Sequence, residues 1–130
     1  KIINLNTPLK IIINQNQRIN GIKNKNIEIL VNPENLPILM NNCSWSITSG
    51  GITMLEMIYL KKKTFVFPQT ELEKKLSEIM LRNKLIESIN PSLIDATKIN
   101  HDGKMTNNNI FDGLGSKRIA DEVDRILNAG

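Results

Sequence analysis

The sequence predicts an α/β domain on a doubly wound, largely parallel sheet. β-Branched apolar runs alternate with stretches of helical spacing along the whole chain, and no internal repeat or low-complexity linker interrupts them. The 130 residues, 40% hydrophobic and 23% charged, suffice for one domain with its own core. A single domain over residues 1–130 is therefore expected.

The elements follow in order. Lys1 to Asn6 reads as a helix tail or an extended arm, bounded by Pro8. Leu9-Lys10-Ile11-Ile12-Ile13 is the first strand, its apolar run suiting burial on both faces of a parallel sheet. Asn14 to Asn26 is a polar loop with one helical turn near Arg18 to Ile22, and Ile27 to Val31 is the second strand. A short helix follows, with Asn32 or Asn35 as its cap, Leu36, Leu39 and Met40 as its apolar face, and Asn41 and Asn42 at its end. Cys43 to Thr48 is the third strand. A helix from Ile52 to Leu60 comes next, with Ile52, Leu55, Tyr59 and Leu60 recurring at helical spacing, and Thr64 to Phe67 is the fourth strand, closed by Pro68. Thr70 then caps a helix from Glu71 to Asn83, striped by Leu72, Leu76, Ile79 and Met80, with Glu71 and Glu73 at its positive end. Leu85 to Ile89 makes a short fifth strand, Asn90 to Asn100 another helix, and His101 to Asn109 a polar loop. A last helix, Lys117 to Leu127, carries Ile119, Val123, Ile126 and Leu127 at helical spacing.

The stretch from Ser46 to Met57 is the chemical focus, a strand, a tight glycine turn and a helix. Two glycines there let the backbone turn sharply and leave N–H groups facing outward at the positive end of a helix, a place suited to phosphate. The alternative is that Gly50-Gly51 only turns the chain. In doubly wound sheets ligands bind outside the C-terminal ends of the strands, where Ser49-Gly50-Gly51 and Pro68-Gln69-Thr70 are both expected. Glu56, on the helix the turn opens, has the chemistry to accept two hydrogen bonds from a vicinal diol, or is simply a solvated glutamate. Thr53 either bonds the backbone or faces phosphate, and Gln69, Thr70 and Glu71 either contact a sugar or cap the following helix.

Other chemistry is sparse. The one histidine, His101, stands beside Asp102 in a polar loop, and no nucleophile triad, metal-ligand cluster, full GxGxxG or Walker A sequence is visible. The single cysteine, Cys43, excludes an internal disulfide and is expected as an inert buried thiol. Net charge is +4, but the charges are scattered and only 4% of residues are aromatic, which argues against a nucleic-acid partner. Lys61-Lys62-Lys63 falls where a helix ends and its dipole favours cations. No apolar run approaches the ~20 residues that span a bilayer, and no signal peptide is visible, so a cytoplasmic location is expected. The chain opens on Lys1, and a piece of a longer protein is expected.

Asn42 to Glu56 with Lys62 to Gln69 resembles the C-terminal domain of GT-B nucleotide-sugar enzymes, in which a strand, Ser/Ala-Gly-Gly-x-Thr, a Glu-bearing helix, a basic or glycine turn and a strand ending near Pro follow one another. Within that superfamily the similarity is to the UDP-sugar hydrolases of pseudaminic acid synthesis and their spore coat polysaccharide glycosyltransferase-like relatives. Asn32 to Met40 resembles the stretch before that strand. Ile110-Phe111-Asp112-Gly113-Leu114-Gly115-Ser116-Lys117-Arg118-Ile119 resembles the C-terminal signature Asp-Gly-x-Gly-Ala-x-Arg-Ile/Val.

The resemblance implies a Rossmann-like sheet, the C-terminal half of a GT-B fold, with its first strand missing ahead of Lys1. It implies that Ser49, Gly50, Gly51, Ile52 and Thr53 line the diphosphate of a UDP-sugar. Glu56 would hold the ribose, as the matching glutamate does in the related peptidoglycan N-acetylglucosaminyltransferase. Sugar contacts would fall to Gln69 and Thr70, although the family commonly has Asn-Gln there. The family's catalytic histidine belongs to an N-terminal domain, in a Gly-x-Gly-His segment absent here. The expectation is thus a UDP-binding half of a hydrolase or glycosyltransferase of cell-surface glycan or nonulosonic acid synthesis, with no catalytic residue, metal or cofactor of its own and an N-terminal catalytic domain as partner. The alternative is a non-catalytic α/β module with a regulatory or assembly role.

Overall fold

The structure, a computed structural model, describes residues 8–17, 24–89 and 111–129. In chain order they form β1 (Leu9–Ile13), β2 (Ile27–Val31), α1 (Leu36–Asn42), β3 (Trp45–Thr48), α2 (Ile52–Tyr59), β4 (Lys63–Val66), α3 (Glu71–Arg82), β5 (Ser88–Ile89) and α4 (Gly115–Leu127). The predicted α/β class holds, and every strand pair is parallel: β1 with β2 in one sheet, and β3, β4 and β5 in another. The described residues fall into two compact units, one running to Cys43 and the other starting at Ser44. The expected arm at Lys1 to Asn6, the turn at Arg18 to Ile22, the helix at Asn90 to Asn100 and the loop at His101 to Asn109 lie outside the described residues. Among the described residues no helix is long and apolar enough to cross a membrane.

In the first unit, Leu9 to Ile13 runs in register with Ile27 to Val31, which puts Leu9, Ile11, Ile13, Ile27, Ile29 and Val31 on one wholly apolar face. The other face carries an ion pair, Lys10 Nζ to Glu28 Oε2 at 2.7 Å, between half-exposed side chains. Burial on both faces was expected, yet Ile12 and Val31 stay 42% and 55% exposed. The helix that follows in this unit, α1, has no buried residue of its own. Asparagines make the turns: Asn14 and Asn24 accept, through Oδ1, the N–H groups of Asn16 and Asn26. Asn35 is the N-cap of α1 but makes no side-chain cap bond, and Asn32 adopts a left-handed φ of 43° while its N–H extends the β1 ladder to Ile13. Cys43 is half-buried at the end of α1, its thiol donating to Met40 O.

In the second unit, strand order follows chain order, β3-β4-β5. Val66 and Ile89 are register partners on one face, and there they meet Met54, Leu55 and Ile58 of α2, Leu76 and Met80 of α3, and Leu85, Ile86 and Phe111. Both helices therefore cover the same face. The opposite face carries Trp45, Ile47 and Phe65, with Trp45 meeting Phe65 edge-on at 6.3 Å between ring centroids. The fifth strand is shorter than predicted because Leu85 and Ile86, each 3% exposed, turn into the core before the chain becomes extended.

Periodicity misassigned two helix faces. Ile52 and Tyr59 of α2 point outward, and Met54, Met57 and Ile58 are the buried residues. All positions from Ile52 to Leu60 except Thr53 and Glu56 are apolar, so spacing alone could not choose. In α3, Leu72 and Ile79 are exposed and the inward line is Glu73, Leu76, Ser77 and Met80. Both helices end in Schellman turns: Lys61 and Lys62 donate to Ile58 O and Met57 O, and Lys84 and Leu85 to Leu81 O and Met80 O. Lys61 and Lys84 hold the left-handed position, each at φ 57°. The lysine run thus lies just outside the negative end of α2, and its last member opens β4.

Candidate functional site

The glycine turn sits where the sequence places it, between the C-terminal end of β3 and the first turn of α2. Gly50 is buried, and a Cβ there would lie 2.7 Å from Ser77 Oγ and 2.8 Å from both Glu73 Cβ and Glu73 O. Close approach of α3 therefore requires a glycine at this position. Gly51 is the N-cap of α2, in extended conformation, and offers no side-chain cap. Among the described residues, nothing accepts from the N–H groups of Gly51, Ile52 and Thr53, while Met54 N already bonds Gly51 O. Ser49 lines the turn, its Oγ 3.7 Å from where a Gly51 Cβ would project, and its carbonyl accepts from Thr48 Oγ1.

Sequence reasoning assigned Glu73 only a dipole role, and the structure gives it a larger one. Its Oε2 accepts the N–H of Gly50 at 3.3 Å and the N–H of Gln69 at 2.7 Å. Its other oxygen, Oε1, stands 3.4 Å from a Cβ built on Gly51. One carboxylate thus joins the β3–α2 turn to the β4–α3 turn. Thr70 Oγ1 accepts from Glu73 N at 3.2 Å, so Thr70 caps α3 as predicted. The pattern Thr70-x-x-Glu73 is that of a capping box, in which the glutamate reaches back for a free N–H; here it reaches one residue past the cap and across to Gly50. Beneath it, buried Ser77 donates to Glu73 O at 2.7 Å, one turn back in α3, and its Oγ is the atom a Gly50 Cβ would meet first.

Glu56 is exposed on α2, on the same outward face as Ile52 and Thr53, which lie four and three residues before it. Its apolar neighbours in sequence point the other way, into the core, so they place no apolar surface around its carboxylate. The N-terminal end of α2 thus presents three open N–H groups, and the exposed side chains of Thr53 and, one turn later, Glu56 stand on the outward side of the same helix. Gln69 turns its amide back to Phe67 O at 3.0 Å. His101 lies outside the described residues.

The segment from Asp112 to Arg118 occupies the other end of α2. Gly113, at φ +74°, lies against Tyr59, whose Oη is 3.4 Å from where its Cβ would be. Asp112 accepts the N–H of Leu114 at 2.9 Å and pairs with both terminal nitrogens of Arg118 at 2.7 and 3.0 Å. The Arg118 guanidinium, and then the Leu114 N–H, lower its carboxyl to about 2. The Asp-Gly-x-Gly…Arg pattern thus works locally as the clamp that starts α4, and Phe111 anchors it in the core. Comparison of the chain with protein-family models, with curated proteins and with solved structures finds no match.

Proposed function

We propose that this chain binds the UDP part of a nucleotide sugar, as the C-terminal half of a GT-B-type UDP-sugar hydrolase or glycosyltransferase acting in cell-surface glycan or nonulosonic acid synthesis. In this reading β3-β4-β5 is one winding of a doubly wound sheet, and the chemistry belongs to a separate catalytic domain. One observation carries it: at the C-terminal end of a parallel strand, the N–H groups of Gly51, Ile52 and Thr53 stand open at the N-terminal end of α2, and Glu56 is exposed one turn along the same helix. The diphosphate would lie along the N–H groups, with the ribose hydroxyls on Glu56. Calorimetric titration with UDP tests it. Glu56→Ala is expected to weaken binding by about 1–3 kcal/mol, the loss of charge-assisted hydrogen bonds; unchanged affinity removes Glu56 from the ribose.

The second reading, a non-catalytic α/β module, is favoured by Gly50. Its lack of a side chain is accounted for by packing against Ser77 and Glu73, without any ligand. A thermal-shift screen in which neither UDP nor UMP raises the midpoint would select this reading.

A further inference from the structure

We propose that Glu73 is an internal anion that occupies part of the nucleotide site, so that a nucleoside diphosphate binds only by displacing its carboxylate. The proposal rests on the reading of the Ser49–Thr53 turn as a diphosphate site, and it adds how that site is controlled.

The geometry is that of a bound anion supplied by the chain itself. Two N–H groups from two different strand-to-helix turns, Gly50 and Gln69, converge on one oxygen, Glu73 Oε2, at 3.3 and 2.7 Å. The second oxygen lies over Gly51, 3.4 Å from its built Cβ, and so faces the mouth of the turn. A phosphate oxygen seeks the same donors at the same distances. No ion pair joins Glu73 to a lysine or arginine among the described residues, and its carboxylate is held by two N–H groups. A diphosphate placed on Gly51, Ile52 and Thr53 would meet that carboxylate at contact distance with no cation between them. Like charges so close disfavour joint occupancy. The bonds that join the two turns hold this carboxylate beside the open N–H groups, and ligand binding exchanges one anion for another.

UDP titrations of the wild-type chain and of Glu73→Gln test this. Glutamine keeps an acceptor for both N–H groups and removes the charge, so UDP affinity should rise roughly tenfold, the scale of one unit-charge contact in partly solvated surroundings. If UDP binds the wild type and Glu73→Gln binds it equally or more weakly, the competition is overturned and the reading of the turn survives. If UDP binds neither protein, the reading of the turn fails and the proposal falls with it. A measurement on the unmodified chain guards against a variant that does not fold. In amide NMR spectra, UDP should shift Gly50 and Gln69 together with Gly51, Ile52 and Thr53. Shifts confined to the last three would mean that the carboxylate stays in place, and the proposal would be wrong.

Discussion

Gly50, Lys61, Lys84 and Asp112 each hold a position that only some residues fill without cost. Gly50→Ala puts a methyl group within 2.8 Å of α3 backbone and is expected to cost about 1–3 kcal/mol of folding stability in urea denaturation, the range for overpacking. Gly115→Ala meets nothing within 4 Å and should be neutral or stabilising by up to about 1 kcal/mol. Lys61→Gly and Lys84→Gly relieve left-handed backbone at two helix ends, and each should stabilise by about 0.5–1 kcal/mol. Asp112 offers a pH test. Its folded carboxyl titrates near 2, below the ordinary 3.8, so the Arg118 pairing that starts α4 is intact above about pH 4 and is lost as pH falls through about 2. Carboxyl-carbon NMR should show a midpoint near 2 for Asp112, returning toward 3.8 in Arg118→Gln.

Among the elements, α2 and α3 show where hydrophobic spacing is a sufficient guide and where it is not. Helix positions and lengths were legible, because Gly-Gly, Thr70 and the lysine turns punctuate the chain. Their inward faces were not. In α3 the leucine stripe yields to Glu73 and Ser77, since a glycine turn approaches the helix closely enough to exclude larger side chains. Met54→Ala should therefore cost about 2–5 kcal/mol, while Leu72→Lys, on the 77% exposed side, should stay within about 0.5 kcal/mol; urea denaturation followed by Trp45 fluorescence separates them. The last helix was predicted from the stripe of Ile119, Val123, Ile126 and Leu127, and it forms with every described position exposed. An amphipathic pattern predicts a helix, and it does not say what covers the apolar side.

For the whole molecule, the consequence of the proposed function is linkage between ligand and folding. A site present only in the folded state stabilises the chain by about 2.7 kcal/mol when free UDP is one hundred times its Kd. The sole tryptophan, Trp45, belongs to the unit that carries the turn, so thermal unfolding followed by its fluorescence reads that unit directly. A midpoint that does not move with UDP concentration would count against the nucleotide site.

The sequence by itself determined the α/β class, the order and type of the elements among the described residues, the glycine turn at the end of a strand and the Thr70 cap. These depend on neighbours a few residues apart and on turn residues with narrow backbone preferences. Only the tertiary structure decided which helix faces are buried, that Gly50 answers to Ser77 and Glu73, and that the Gly50 N–H already has a carboxylate on it. Those facts join residues more than twenty positions apart, and no local pattern encodes the distance at which two turns meet.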